Sequence, residues 1–377
     1  MDLAQLETPC LILDKGKLER NIKKMRDHLA RLNIPLRLHV KTAKCIQAVQ
    51  LVLEGREKSI TVSTLKEADY FFSHGITDIL YAVGIAPVKL EHIAGLRNKG
   101  ADIKIILDSM EQAQSAANAG QNFGITFPAL IEIDSDHHRV GVAPDDPLLI
   151  EIGRFLHYEK GVEFKGVMTH AGASYECKTL TEIRKVAAQE RDAVVTCAGR
   201  LREAGLPCPI VSVGSTPTAW FAEDYSGVTE VRAGVFLFQD LVIAGLNVCK
   251  VEEIAISVLA SVIGHQKQKG WILTDAGWMA LSRDRGTARQ AVDQGYGLIC
   301  ALEGKPLIDY IVTGINQEHG IIVKRDHSGL DFKKFPIGGL VRILPNHACA
   351  TAAMFEKYYV VDGGSEIVDT WQRINGW

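Results

Sequence analysis

The sequence predicts an α/β protein: a (β/α)8 barrel followed by a mostly β domain. Three observations predict it. Eight short β-rich runs alternate with amphipathic, helix-like stretches over the first two thirds of the 377 residues. Strands alternating with helices argue for parallel βαβ units, and eight such units close into a barrel of roughly 250 residues. No Gly-x-Gly-x-x-Gly follows a first strand, which weighs against the rival doubly wound open sheet. After about residue 245 the pattern changes to strand-like runs with glycine-rich turns and little helix between them.

Taken in order, PCLILD (9–14) precedes the first barrel helix pattern and is expected to pair with the β domain. The barrel runs are 34–42, 59–65, 78–84, 102–107, 127–134, 164–172, 209–216 and 229–236. Segments such as KEADYFFSHG (66–75) and TEIRKVAAQERDAVVTCAGRLREAG (181–205) supply the helices between them. Six further strand-like runs follow at 251–265, 269–277, 306–315, 319–325, 339–347 and 357–364. The expected division is therefore a barrel over 15–244 and a β domain over 245–377 together with 1–14.

Composition excludes several classes. The chain is 47% hydrophobic and 23% charged, with net charge −3 and pI near 6.5. That balance gives no electrostatic argument for nucleic acid or membrane partners. No apolar run approaches the ~20 residues that span a bilayer, and MDLAQLETPCLILD has no signal-peptide core. The eight cysteines form no Cys-x-x-Cys pair and read as reduced thiols of a cytoplasmic protein.

A barrel's active site lies at the C-terminal ends of its strands. Lys41 ends the first run. Arg139 follows the fifth; His170, Ser174 and Tyr175 follow the sixth. Gly214, Ser215 and Thr216 end the seventh, and Arg232 and Gly234 lie within the eighth. VGSTPT (213–218) sits where barrels often bind phosphate, through free backbone N–H groups and hydroxyls. It reads equally as a Ser/Thr cap on a helix beginning at Pro217, and the two readings are compatible. Lys41 alone reads as a surface lysine. At a strand end, partly buried, it becomes a carbonyl-trapping amine. An amine facing a phosphate site points to pyridoxal 5'-phosphate. His347 and Cys349, in LPNHACAT, form a soft-metal half-site or, alternatively, a packed histidine beside a buried thiol.

With RLHVKTAK, ITVSTLKEAD, DILYAVGIAP, VMTHAGASYE, VSVGSTPT, TEVRAGV, SRDRGTARQ, NQEHG and LPNHACAT on the page, the chain resembles the fold-type III pyridoxal-phosphate enzymes. These have an alanine-racemase-like barrel. It is most similar to their branch of D-threonine aldolases, D-serine dehydratases and 3-hydroxyaspartate dehydratases, from TPCLILD to WQRINGW. The resemblance implies that Lys41 holds the cofactor and that Arg139 lies near its phenolic oxygen. It implies that Gly214, Ser215, Thr216 and Gly234 cup its phosphate, that Tyr175 lies beside it, and that Arg232 stands where alanine racemases place an arginine facing the pyridine nitrogen. His347 and Cys349 match the branch's metal pair. Aldolases of this branch carry His-x-Asp there and dehydratases His-x-Cys, so the cysteine favours a dehydratase. It also favours zinc over manganese or magnesium.

The implied activity is a lyase turning a D-3-hydroxy amino acid into a 2-oxo acid and ammonia. The alternatives are aldol cleavage to glycine and an aldehyde, or a non-catalytic cofactor-binding protein. The resemblance also implies a homodimer in which one chain's β domain covers the other's barrel mouth. A substrate β-carboxylate would need a cation. SRDRGTARQ (282–290) offers Arg283, Arg285 and Arg289, or is simply a solvated basic turn.

Overall fold

The computed structural model describes residues 1–55, 58–326 and 328–377. The chain divides into two compact units. One comprises Met25–Lys41 and Ala48–Gly234; the other comprises Met1–Lys24, Thr42–Gln47 and Val235–Gly376. Strand β1 (Cys10–Asp14) and helix α1 (Lys15–Arg31) come first.

The barrel strands are β2 (Leu36–His39), β3 (Ser59–Val62), β4 (Asp78–Gly84), β5 (Asp102–Leu107), β6 (Phe127–Ile133), β7 (Val162–Thr169), β8 (Ile210–Val213) and β9 (Glu230–Ala233). All pair in parallel, and β9 pairs back onto β2 through Leu36↔Val231 and Leu38↔Ala233, so the sheet closes. Closure removes the open-sheet rival, and each of the eight strands falls within one of the expected runs or overlaps it. Helices α2 (Ile46–Leu53), α3 (Leu65–Ser73), α4 (Leu90–Asn98), α5 (Met110–Phe123), α6 (Leu148–Tyr158), α7 (Leu180–Glu203) and α8 (Thr216–Phe221) connect them.

Local chemistry starts these helices. Thr64, Ser109 and Thr179 each accept an amide three residues on, and Glu182 completes a capping box with Thr179. Leu80, Ile106, Leu130 and Met168, one from each of β4 to β7, pack together in the barrel interior.

The other unit is built on an antiparallel sheet. Its later strands are β10 (Ile256–Gln266), β11 (Trp271–Thr274), β12 (Leu298–Cys300), β13 (Pro306–Ile315), β14 (Gly320–Lys324), β15 (Leu340–Leu344), β16 (Lys357–Val361) and β17 (Ile367–Gln372). β11, β14, β13, β12, β15 and β10 pair in turn, and β10 pairs again with β11. β1 lies between β10 and β16, antiparallel to the first and parallel to the second. Leu3, Cys10, Ile12, Leu259 and Val361 form its core cluster. The strand-like runs read from sequence lacked β12 and β17. β12 is apolar but has only three residues, too few to show a period, and β17 reads IVDTWQ with its side chains mostly exposed, so it carries no clear apolar alternation.

Short helices α9 (Leu241–Gly245), α10 (Trp278–Leu281) and α11 (Ala348–Ala352) interrupt the sheet. Among the described residues no helix is long and apolar enough to cross a membrane.

Candidate active site

At the barrel mouth, β2 ends at His39, and the Val40 amide still donates to Thr61 O at 2.9 Å. Lys41 follows and is exposed, not partly buried as expected. It lies two residues past the strand, clear of the packed wall. Its charge still acts on the mouth. Burial, and after it the Lys41 ammonium, push the His39 imidazole well below its ordinary range and His170 down to about 3. Both rings are therefore neutral at pH 7. His170 Nδ1 lies 2.6 Å from Gly214 O, and a carbonyl only accepts, so Nδ1 carries the proton and Nε2 keeps its lone pair.

The candidate phosphate cup draws on the loops after β7, β8 and β9. Gly214 has φ +147°, and a Cβ there would sit 2.0 Å from Arg232 O, so only glycine fits. Its amide donates to Glu190 Oε1 at 2.9 Å. The Ser215 amide donates to Thr218 Oγ1 at 3.1 Å. These two N–H groups are thus committed within the protein, contrary to the expectation that they face a phosphate. Ser215 caps α8 through its hydroxyl, and that hydroxyl lies 2.9 Å from Ser174 Oγ. Thr216 Oγ1 is buried and has no hydrogen-bond partner among the described residues. A buried hydroxyl left unpaired is costly, so this atom fits a ligand oxygen. Gly234 follows β9 and is buried.

The remaining barrel candidates each have their own partners. The Tyr175 ring lies 6.4 Å from that of His170. Arg139 is exposed and meets buried Glu132 at 3.3 Å. Arg232 is buried, and its terminal nitrogens donate to Ser212 Oγ and Thr169 O.

The metal candidates lie in the other unit, after β15. His347 is the N-cap of α11, and Cys349 is its second residue. His347 Nδ1 lies 2.9 Å from Asp284 Oδ2. Burial opposes charge on this imidazole, but the hydrogen bonds to Asp284 and Cys349 outweigh it and hold its pKa up at about 11. With Nδ1 engaged by Asp284, Nε2 is the nitrogen a metal would take, and it would have to give up its proton to do so. Cys349 Sγ lies 3.1 Å from the hydroxyl of buried Thr42. Fully buried Asp240 accepts the Ala348 amide at 2.9 Å and braces the turn. Among the described residues, no group of three or more His, Cys, Asp and Glu is arranged to hold a metal.

Asp284 comes from the basic loop singled out for its arginines. Asn346 fastens that loop, donating to Asp284 O at 2.9 Å and accepting from Thr287 Oγ1 at 3.1 Å. Arg285 is neutralised by Asp293 at 2.6 Å. Arg283 is exposed, with its guanidinium 4.6 Å from the Trp278 ring centroid, and Arg289 is exposed. Sequence reasoning missed Glu190, His39, Thr42, Asp240 and Asp284. Each acts through a partner distant in the chain or through local burial, and a single sequence carries neither signal.

Comparison with known proteins places these residues in context. The family "Alanine racemase, N-terminal domain" matches residues 13–241, and "Putative serine dehydratase domain" matches 255–361. The D-threo-3-hydroxyaspartate dehydratase of Delftia sp. (strain HT23) is 50% identical over 378 residues, covering 100% of this chain and 99% of that one. Its solved structure superposes with a TM-score of 0.96 at 49% identity, covering 100% of both chains. A variant of that enzyme has been solved in a metal-free form. The D-serine dehydratase of Dictyostelium discoideum is 30% identical, covering 100% of this chain and 98% of that one. A D-threonine aldolase from Filomicrobium marinum superposes with a TM-score of 0.84 at 26% identity, covering 99% and 96%.

Proposed function

This chain belongs to the alanine racemase N-terminal domain family and carries a serine dehydratase domain behind its barrel, and from that premise we propose that it is a D-3-hydroxy amino acid dehydratase. It converts its substrate to a 2-oxo acid and ammonia, and the preferred substrate is D-threo-3-hydroxyaspartate, with D-serine second. Half the residues are shared with a dehydratase of that specificity over the whole chain, while the aldolase similarity is lower. The observation that carries the reading is the thiol of Cys349 beside His347, where the resemblance gives aldolases a carboxylate.

Pyridoxal 5'-phosphate, when bound, supplies an electron sink for charge left at Cα, and a divalent metal supplies a Lewis acid for the departing hydroxide. The residues fit both groups. Thr216 Oγ1 offers the phosphate an unpaired buried hydroxyl, and Ser174 and Ser215, already bonded to each other, would shape the cup around it together with Gly234. Lys41 is the amine that would hold the cofactor's carbonyl and would then move the Cα proton. Arg139 and Tyr175 would lie beside the cofactor's ring, as the resemblance implies. The neutral His170 adds no charge to the mouth.

His347 and Cys349 would hold the metal through imidazole nitrogen and thiolate sulfur, a donor pair that suits zinc. A metal held there would supply Lewis-acid assistance to the substrate's departing hydroxyl. Asp284 orients the imidazole. Of the loop arginines, Arg283 pairs with no carboxylate among the described residues and is the better cation for a β-carboxylate; Arg285 is already spent on Asp293. A homodimer in a reducing compartment completes the proposal. The dimer rests on the family resemblance, and the compartment rests on eight free cysteines.

A panel of D-3-hydroxy amino acids, assayed for both 2-oxo acid and glycine, tests the reading. The expected result is 2-oxo acid without glycine, fastest on D-threo-3-hydroxyaspartate. Glycine as the main product would replace the dehydratase reading by the aldolase one. Lys41→Ala should lose the cofactor's visible absorption after dialysis.

A further inference from the structure

We infer that Glu190, on the barrel's longest helix, is a positioning residue that builds the cofactor's phosphate cup from behind, an inference that rests on the pyridoxal-phosphate reading above. Glu190 is in the middle of α7 and is 2% exposed. Its Oε1 accepts two amides, Ala171 at 3.0 Å and Gly214 at 2.9 Å. Ala171 belongs to the loop after β7, and Gly214 to the loop after β8. One oxygen atom thus ties together the two loops that carry His170, Ser174, Ser215 and Thr216.

The tie is directional. Pulling the Gly214 amide inward fixes the peptide that precedes it, and the Gly214 carbonyl then accepts from His170 Nδ1 at 2.6 Å. Ser215 follows with φ −136°, capping α8 and meeting Ser174 Oγ at 2.9 Å. These pairings leave the Thr216 hydroxyl as the unpaired donor. A buried carboxyl in this place demands a reason, because burial is expensive for its charge. Burial does push the Glu190 carboxyl up from its ordinary range, against the hydrogen bonds it receives from Thr218, Gly214 and Ala171. What the two amides need is an oxygen acceptor of this reach, and negative charge is not required of it.

That distinction gives the test. Glutamine keeps the acceptor oxygen and the reach; alanine removes both; aspartate shortens the reach by one methylene. Apoenzyme of each full-length variant is titrated with pyridoxal 5'-phosphate and, separately, with pyridoxal, and bound ligand is followed by absorption. The ratio of the two affinities isolates what the phosphate contributes. Glu190→Gln is expected to keep the wild-type ratio within about threefold, whereas Glu190→Ala and Glu190→Asp lower it by about tenfold or more. A general packing defect would weaken both ligands alike. The inference is overturned if Glu190→Asp or Glu190→Ala keeps the wild-type ratio, or if Glu190→Gln loses it. Should the alanine variant fail to fold, the aspartate and glutamine pair decides. A wild-type protein that binds neither ligand would instead overturn the cofactor reading itself.

Discussion

Thr42 follows Lys41 in the chain, and its hydroxyl lies 3.1 Å from the Cys349 sulfur. In the proposed metal site, with only His347 and Cys349 as side-chain donors, the hydrogen bonds behind those donors carry more of the affinity. A hydroxyl pointed at a thiolate stabilises its charge, and a carboxylate on the far nitrogen of an imidazole fixes the ring. Thr42→Val keeps the shape of the side chain and removes the hydroxyl. It should weaken zinc binding by about tenfold, measured by competition with a chelator, while Thr42→Ser retains it. Equal affinities for the valine variant and the wild type would show that the hydroxyl only fills space. Lys41, His347 and Cys349 could be proposed from sequence because their residue types carry the proposed chemistry themselves. Thr42 and Asp284 could not be, because threonine and aspartate are common everywhere and matter here only through partners 307 and 63 positions away. Arg283 and Arg285 caught attention for their charge, and the structure separates them by pairing only Arg285 with an aspartate.

At the scale of elements, the barrel strands begin on charges that join them. Arg37 of β2 meets Glu230 of β9 at 2.7 Å and Asp78 of β4 at 2.9 Å. Lys104 of β5 meets Asp78 at 2.8 Å and Asp102 at 2.7 Å. These groups sit at the end opposite the mouth, where barrel residues serve stability. Burial alone would raise the Asp78 carboxyl, but Arg37 and Lys104 outweigh it and hold it below its ordinary value. A depressed folded-state pKa stabilises the protein above the unfolded value of about 4, and that contribution is lost as pH falls through the folded value. Asp78→Asn should therefore lower the melting temperature most near neutral pH, with the gap to wild type narrowing towards pH ~3. A gap that is constant with pH would assign the effect to packing. The eight barrel strands were readable because each is a short apolar run bounded by turns. The ion pairs among their first residues were not, since strand neighbours are set by closure and not by adjacency in sequence.

On the scale of the whole molecule, the chain does not divide at simple sequence boundaries. Residues 42–47 lie inside the stretch expected to be barrel, yet they group with the sheet unit. Tyr358 Oη donates to Ala43 O at 2.8 Å, and the Ile374 amide donates to Lys44 O at 2.9 Å. Buried Arg373 reaches both Ala43 O and Tyr358 Oη. Such a join, made by the final residues of the chain, leaves no local trace in sequence. The division has a chemical consequence. Lys41, Arg139, His170, the cup at 214–216 and Glu190 all belong to the barrel unit, and His347, Cys349, Asp284 and Thr42 all belong to the sheet unit. The proposed cofactor holding and metal holding thus draw on separate sets of residues and should fail separately. Dialysis against a chelator should abolish 2-oxo acid formation and leave the cofactor's visible absorption intact, and Cys349→Ala should behave the same way. Cys349→Asp should move the metal preference from zinc towards manganese, because a carboxylate is the harder donor, and some glycine should then appear from the same substrate. Metal-free protein that still makes 2-oxo acid at the full rate would remove the metal from the reaction and, with it, the main reason for ranking elimination above aldol cleavage.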